Sequence, residues 1–118
     1  MLNVTVQTVR ETATLLCRGR IVAGEEARIL REAVLAQADK NTVIIDLGLV
    51  DAIDAGGLSL LLELRKWASS KRVQLKLVNA TRRVRQVLTA THLSHILDFD
   101  WFEETRIQPR NDATGAAA

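Results

Sequence analysis

The sequence is poor in the residues that most often carry chemistry. Its one cysteine, Cys17, cannot form an internal disulfide, and no Cys/His cluster has the spacing of a zinc site. Tyrosine is absent and aromatic residues make up 3% of the chain, so Leu, Val, Ile and Ala must build any core. No aromatics interleave with a basic stripe, which leaves no stacking platform for nucleic-acid bases. The net charge of +2 is too small to argue for a nucleic-acid partner. No apolar run approaches the roughly 20 residues of a membrane-spanning helix, so no direct membrane insertion is expected. Met1-Leu2-Asn3 has neither the basic start nor the apolar run of a signal peptide. A cytoplasmic, reducing setting is the resulting expectation, and no cofactor or metal is expected.

What is present is the composition of an ordinary globular chain, 47% hydrophobic and 25% charged. At 118 residues there is enough chain for one domain with a core, but not for two. That domain is expected over residues 1–108. Residues 109–118 have little to bury and are expected to form a disordered tail.

Val4 to Arg10 and Thr12 to Arg18 alternate with period two and are rich in β-branched residues, so they predict two strands. The polar break Arg10-Glu11 between them predicts an antiparallel hairpin. Cys17 falls on the same side as Ala13 and Leu15 and reads as a small core residue. Glu25-Glu26 opens a helix with acids at its positive end. Leu30, Ala33, Val34 and Gln37 follow at helical spacing, and Asp39-Lys40-Asn41 ends it. Thr42 to Leu47, TVIIDL, is nearly all apolar, as in a central strand covered on both faces. Asp46 within it reads as a group that bonds local backbone N–H.

A second helix follows Asp54. Ser59, Glu63, Lys66 and Ser70 form its polar stripe, and Leu60, Leu61, Leu64 and Ala68 its buried face. Val73 to Val78 alternates as a strand. Asn79 or Thr81 can cap a third helix, with Val84, Val87, Leu88 and Thr91 inward and Arg82, Arg83 and Arg85 outward. His92 and His95 lie three apart but lack carboxylate or thiol company, and read as boundary residues. Ile96 to Phe99 predicts a short last strand, with Trp101 and Phe102 as anchors in an acidic end. The order is β-β-α-β-α-β-α-β. It implies an α/β fold with a mixed central sheet and helices packed mainly on one face.

The unusual stretch is VDAIDAGGLSLLLEL, Val50 to Leu64. Asp54-Ala55-Gly56-Gly57 makes the turn between the apolar strand and the leucine-rich helix. Asp54 suits an N-cap, because its carboxylate accepts from first-turn N–H groups and favours the positive helix end. Two glycines at a helix start cost about 0.5–1 kcal/mol each against Ala. Two reasons for them stand open: tight packing on the chain's own strand, or close approach of a partner.

With that element order, IIDLGLVDAIDAGGLSLLLEL and NATRRVRQVLTATHL resemble the STAS domain, the fold of bacterial anti-sigma-factor antagonists that is also appended to sulfate transporters. The resemblance covers roughly residues 3 to 100. In partner-switching members the turn reads Asp-Ser-Ser-Gly or Asp-Ser-Thr-Gly, and an anti-sigma kinase phosphorylates the first Ser. Matched residue by residue, Asp54 stands at the Asp, Ala55 at the phosphorylated Ser, Gly56 at the second hydroxyl residue, Gly57 at the Gly and Leu58 at the Leu. Neither Ala55 nor Gly56 can accept phosphate. Ser59 matches no acceptor of the family. Many antagonists also carry Gly-Glu-Leu-Asp after the second strand, where this chain has Gly19-Arg20-Ile21-Val22.

The resemblance implies a non-enzymatic protein-interaction module. It would bind an anti-sigma factor or serine kinase of the GHKL type through Asp54, Ala55, Gly56, Gly57, Leu58 and Ser59 and the exposed edge of the second helix, without a phosphorylation switch at Ala55. The alternative is the small STAS subunit of a lipid-transport ABC transporter, docked on the ATPase; that subunit has a Thr where this chain has Ala55. An enzyme or receiver lacks support. Asp46 has no acidic pair or partner Lys in the required places, and no nucleophile is paired with a base.

Overall fold

The structure, a computed structural model, describes residues 1–91. Strands β1 (Leu2–Val9) and β2 (Thr12–Ile21) are followed by helix α1 (Glu25–Leu35), strand β3 (Thr42–Ile53), helix α2 (Ala55–Lys71), strand β4 (Gln74–Val78) and helix α3 (Arg82–Ala90). The sheet order is β1-β2-β3-β4; the first pair is antiparallel and the next two are parallel. This is the mixed α/β sheet expected from the strand and helix patterns. The expected last strand over Ile96 to Phe99, His92, His95, the aromatic anchors and the tail lie outside the described residues.

The hairpin forms where the polar pair Arg10-Glu11 leaves Val9 opposite Thr12, with Arg10 at a φ of 56°. From there the register sets the core. Ala13, Leu15 and Cys17 of β2 lie beside Val43 and Ile45 of β3, and those beside Leu75 and Leu77 of β4, and all are buried. Ala27, Leu30 and Val34 of α1 and Leu60, Leu61, Leu64 and Ala68 of α2 complete the same core. The opposite face, with Thr12, Thr14, Leu16, Thr42, Ile44 and Asp46, is half-exposed. Helices therefore cover mainly one face, as right-handed β-α-β crossovers running in one direction across a sheet require.

β3 is longer than its apolar run. It continues through Gly48 to Ile53, and its pairing with β2 shifts register twice, between Leu16 and Arg18 and between Gly19 and Arg20. Such bulges change the phase of side-chain alternation, which is why Leu47 and Val50, three apart, are both buried. Asp46 holds this irregularity. Its Oδ1 accepts from the Gly48 N–H at 2.8 Å and its Oδ2 from Asn79 Nδ2 at 3.2 Å. The carboxylate thus has the local structural role expected of it. At α3 the cap is Thr81, whose Oγ1 accepts from the Val84 N–H and donates to the Val50 carbonyl. Asn79 instead takes the left-handed conformation, φ 59°, in the preceding loop.

Candidate functional site: the Asp54 turn

Because β2 and β3 are parallel, they end together. Ile21 and Ile53 are register partners, and the loops that follow them emerge side by side. The Asp54 N–H donates to the Ile21 carbonyl at 3.4 Å, prolonging the ladder by one bond. The Asp54 backbone is then extended, φ −114° and ψ −175°, and its side chain turns back to cap α2. Oδ1 accepts from the Gly57 N–H at 2.8 Å and from the Ala23 N–H at 3.1 Å, and Oδ2 lies 3.3 Å from the same Ala23 nitrogen. One carboxylate therefore ties the helix start to the β2–α1 loop.

The helix begins one residue after Asp54, so Ala55, Gly56 and Gly57 form its first turn rather than a separate loop. Both glycines are explained within this chain. A Cβ on Gly57 would lie 2.1 Å from the Ile21 carbonyl oxygen and 2.9 Å from its carbon. A Cβ on Gly56 would lie 2.4 Å from the Ala23 Cβ and 2.9 Å from its Cα. Of the two reasons left open for the glycines, close packing on the chain's own strand and loop is the one the geometry supplies.

The six predicted contact residues separate by exposure. Asp54, Ala55 and Ser59 are exposed, Gly56 is half-buried, and Gly57 and Leu58 are buried, with Leu58 at 7% exposure in the core. Ala55 and Ser59 are one turn apart and head the exposed stripe that continues through Glu63, Lys66 and Ser70. Ala23, also exposed, adjoins them from the other loop. Sequence reading missed Ala23, since nothing in its type marks it. The available signal was topological: strands joined by a β-α-β crossover run parallel and present their C-terminal loops together.

The surroundings are ionic. Arg20 is 3.4 Å from Glu26 Oε2, which also accepts from the Met1 amino group at 2.8 Å. The bond from the amino group foremost, then one from the Glu26 backbone N–H, hold the Glu26 carboxyl below its ordinary range, with a smaller pull from the Arg20 charge. Arg31 of α1 meets Glu63 of α2 through two bonds, of 2.9 and 3.0 Å. This fork joins the exposed edges of the two helices. Among the described residues, no group of His, Cys, Asp and Glu is placed to hold a metal ion, and no described helix is long and apolar enough to cross a membrane.

Comparison with known proteins finds one family model and a set of structures of similar fold. The sequence profile of the STAS domain matches residues 3–107. No curated protein sequence matches significantly. Among solved structures, a putative anti-sigma factor antagonist from Thermotoga maritima superposes with a TM-score of 0.73 at 22% identity, covering 88% of this chain and 87% of that one. The anti-sigma factor antagonist SpoIIAA in its unphosphorylated form gives 0.70 at 17% identity, over 88% and 89% of the two chains. SLC26A9 gives 0.69 at 16% identity, over 81% of this chain and 18% of the larger one. At these identities the structural likeness is one of fold.

Proposed function

The chain belongs to the STAS domain family, and on that premise we propose that it is a protein-interaction module of the anti-sigma-factor-antagonist kind, lacking a phosphorylation switch at its turn. STAS domains are typically non-enzymatic interaction modules, and antagonist relatives imply a protein partner such as an anti-sigma factor kinase. The finer reading is a GHKL-type serine kinase seated on Asp54, Ala55, Ser59 and the exposed α2 stripe.

The observation that carries this reading is Ala55. It is an exposed first helical residue at the position that matches the family's phospho-acceptor, and it has no hydroxyl. Its neighbour Asp54 uses both carboxylate oxygens to shape the turn. Both features support a turn that keeps the shape of the family's switch without an acceptor hydroxyl. A phosphate would bring about −1.5 to −2 charges into such a contact; without it, binding is constitutive with respect to ATP.

The test uses the purified chain and a candidate anti-sigma kinase, with binding measured by calorimetry and phosphate incorporation by mass spectrometry. The wild-type chain is expected to bind in the presence of ATP and to take up no phosphate. Ala55→Ser is expected to bind, then to be phosphorylated and released. Ala55→Asp is expected to weaken binding by about tenfold or more. Stoichiometric phosphate on Ser59 of the wild-type chain would overturn the unswitched reading. Unchanged binding by Ala55→Asp would remove the turn from the interface. Capture of an ABC ATPase instead would favour a transport accessory role.

A further inference from the structure

The outer edge of β1 is the longest run of backbone that pairs with nothing among the described residues. β1 spans eight residues, LNVTVQTV, and stands at the end of the sheet. Along an antiparallel edge strand, every second residue directs its N–H and C=O away from the sheet. Proteins usually blunt such an edge with a charge, a proline, a bulge or shortness. β1 has none of these devices: Leu2 to Val9 contains no charged residue and no proline, and its pairing with β2 runs from Leu2 to Val9 without a register shift. The edge at the other end of the described sheet is different, since β4 has five residues and carries Lys76.

The helices also stop short of this edge. On the face that α1 and α2 cover, Leu2 is buried and Val4 is partly covered, but Val6 is 41% exposed and Thr8 is exposed. Val9, on the other face, is 70% exposed.

We propose that β1 is a self-association edge at which two copies of this chain pair antiparallel about a twofold axis, joining their sheets into one of eight strands. Self-pairing suits this strand because it is chemically self-complementary. A twofold axis normal to the sheet keeps each residue on its own face, so partners have the same parity. Two central registers satisfy this. In one, Val6 lies opposite Val6 and Val4 opposite Thr8, with Thr5 opposite Gln7 on the other face. In the second, Val4 lies opposite Val6 and Thr5 opposite Thr5, with Asn3 opposite Gln7. Neither sets like charges against each other, and the central pairs match apolar with β-branched residues, or hydroxyl with hydroxyl or amide, as favourable cross-strand pairs require; the one mismatch within the strand is Asn3 opposite Val9 in the first register. Both cover Val6. Because the interface is mostly backbone with few large side chains, a modest affinity is expected.

Sedimentation equilibrium of the full chain, from micromolar to millimolar concentration, tests this. The wild-type chain is expected to pass from monomer to dimer, with β1 amides gaining hydrogen-exchange protection as concentration rises. In the double variant Thr5→Lys/Gln7→Lys a lysine faces a lysine in either register. The dissociation constant should rise by about tenfold or more, with the unfolding midpoint close to wild type because both residues are exposed. Ser69→Lys/Ser70→Lys adds the same charge at the far end of α2 and should leave the dimer intact. The proposal fails if the wild-type chain stays monomeric throughout, if the β1 variant dimerises like wild type, or if both variants weaken the dimer equally. Partner binding at the Asp54 turn should survive in the β1 variant, which separates this outcome from the functional reading above.

Discussion

Gly57 shows how closely α2 is pressed onto the sheet. The Ile21 carbonyl accepts from the Asp54 N–H and would also sit 2.1 Å from any Cβ at position 57. Alanine would gain about 0.5–1 kcal/mol of helix propensity. Overpacking against backbone costs about 1–3 kcal/mol, and a carbonyl held in a strand ladder moves little. The clash wins, so Gly57→Ala is expected to lower stability by about 1–2 kcal/mol in urea unfolding. Gly56→Ala meets the Cβ and Cα of Ala23, whose N–H is tied to Asp54, and should also lower stability. Equal stability of the Gly57 variant and the wild-type chain would show that the turn is looser than its geometry. The glycine signal was legible in the sequence, but its cause was not, because Ile21 and Ala23 lie more than thirty residues away along the chain.

At the scale of elements, the helices followed their sequence patterns closely. The stripe Ser59, Glu63, Lys66 and Ser70 is exposed, and Leu60, Leu61, Leu64 and Ala68 are buried. Sequence pattern could assign Arg31 and Glu63 to polar faces but could not pair them, since nothing local sets how α1 lies against α2. Their fork, foremost its hydrogen bonds, holds the Glu63 carboxyl below its ordinary value of 4.5. A carboxyl with a lowered folded pKa contributes stability that is fully present above 4.5 and fades as pH falls through the folded value. Between pH about 6 and about 3, Glu63→Gln should therefore lose less stability than the wild-type chain. The difference should be small, because both side chains are substantially exposed and water screens the pair. Identical acid limbs in chemical denaturation would remove the pair's contribution.

For the molecule as a whole, Cys17 is a built-in reporter. It lies on the buried face of β2 between the hairpin and the parallel strands, 1% exposed. Burial, with a smaller push from Asp46, raises its thiol to about 12. At pH 8 roughly one thiol in ten thousand would be ionised in the folded chain, so alkylation must await opening of the core. Labelling by iodoacetamide is expected to be negligible in the native protein and to rise with the denaturant transition. Fast labelling without denaturant would mean that the sheet opens locally beside β2. The sign also follows: the unfolded thiol ionises near 9.0, so the stability Cys17 lends is intact below that pH and falls as pH rises above it.

The sequence alone determined the order of the seven described elements, because period-two and helical alternation are local properties of the chain. It also determined that Ala55 and Gly56 carry no hydroxyl, since that is a matter of composition. Tertiary structure decided the rest. The parallel pairing of β2 with β3 brings Ala23 to Asp54, makes both glycines necessary, and places Leu58 in the core while leaving Ala55 in solvent. The bulges in β3 extend a strand that the apolar pattern ends at Leu47. Each of these depends on contacts between segments distant in sequence, and no window of neighbouring residues contains them.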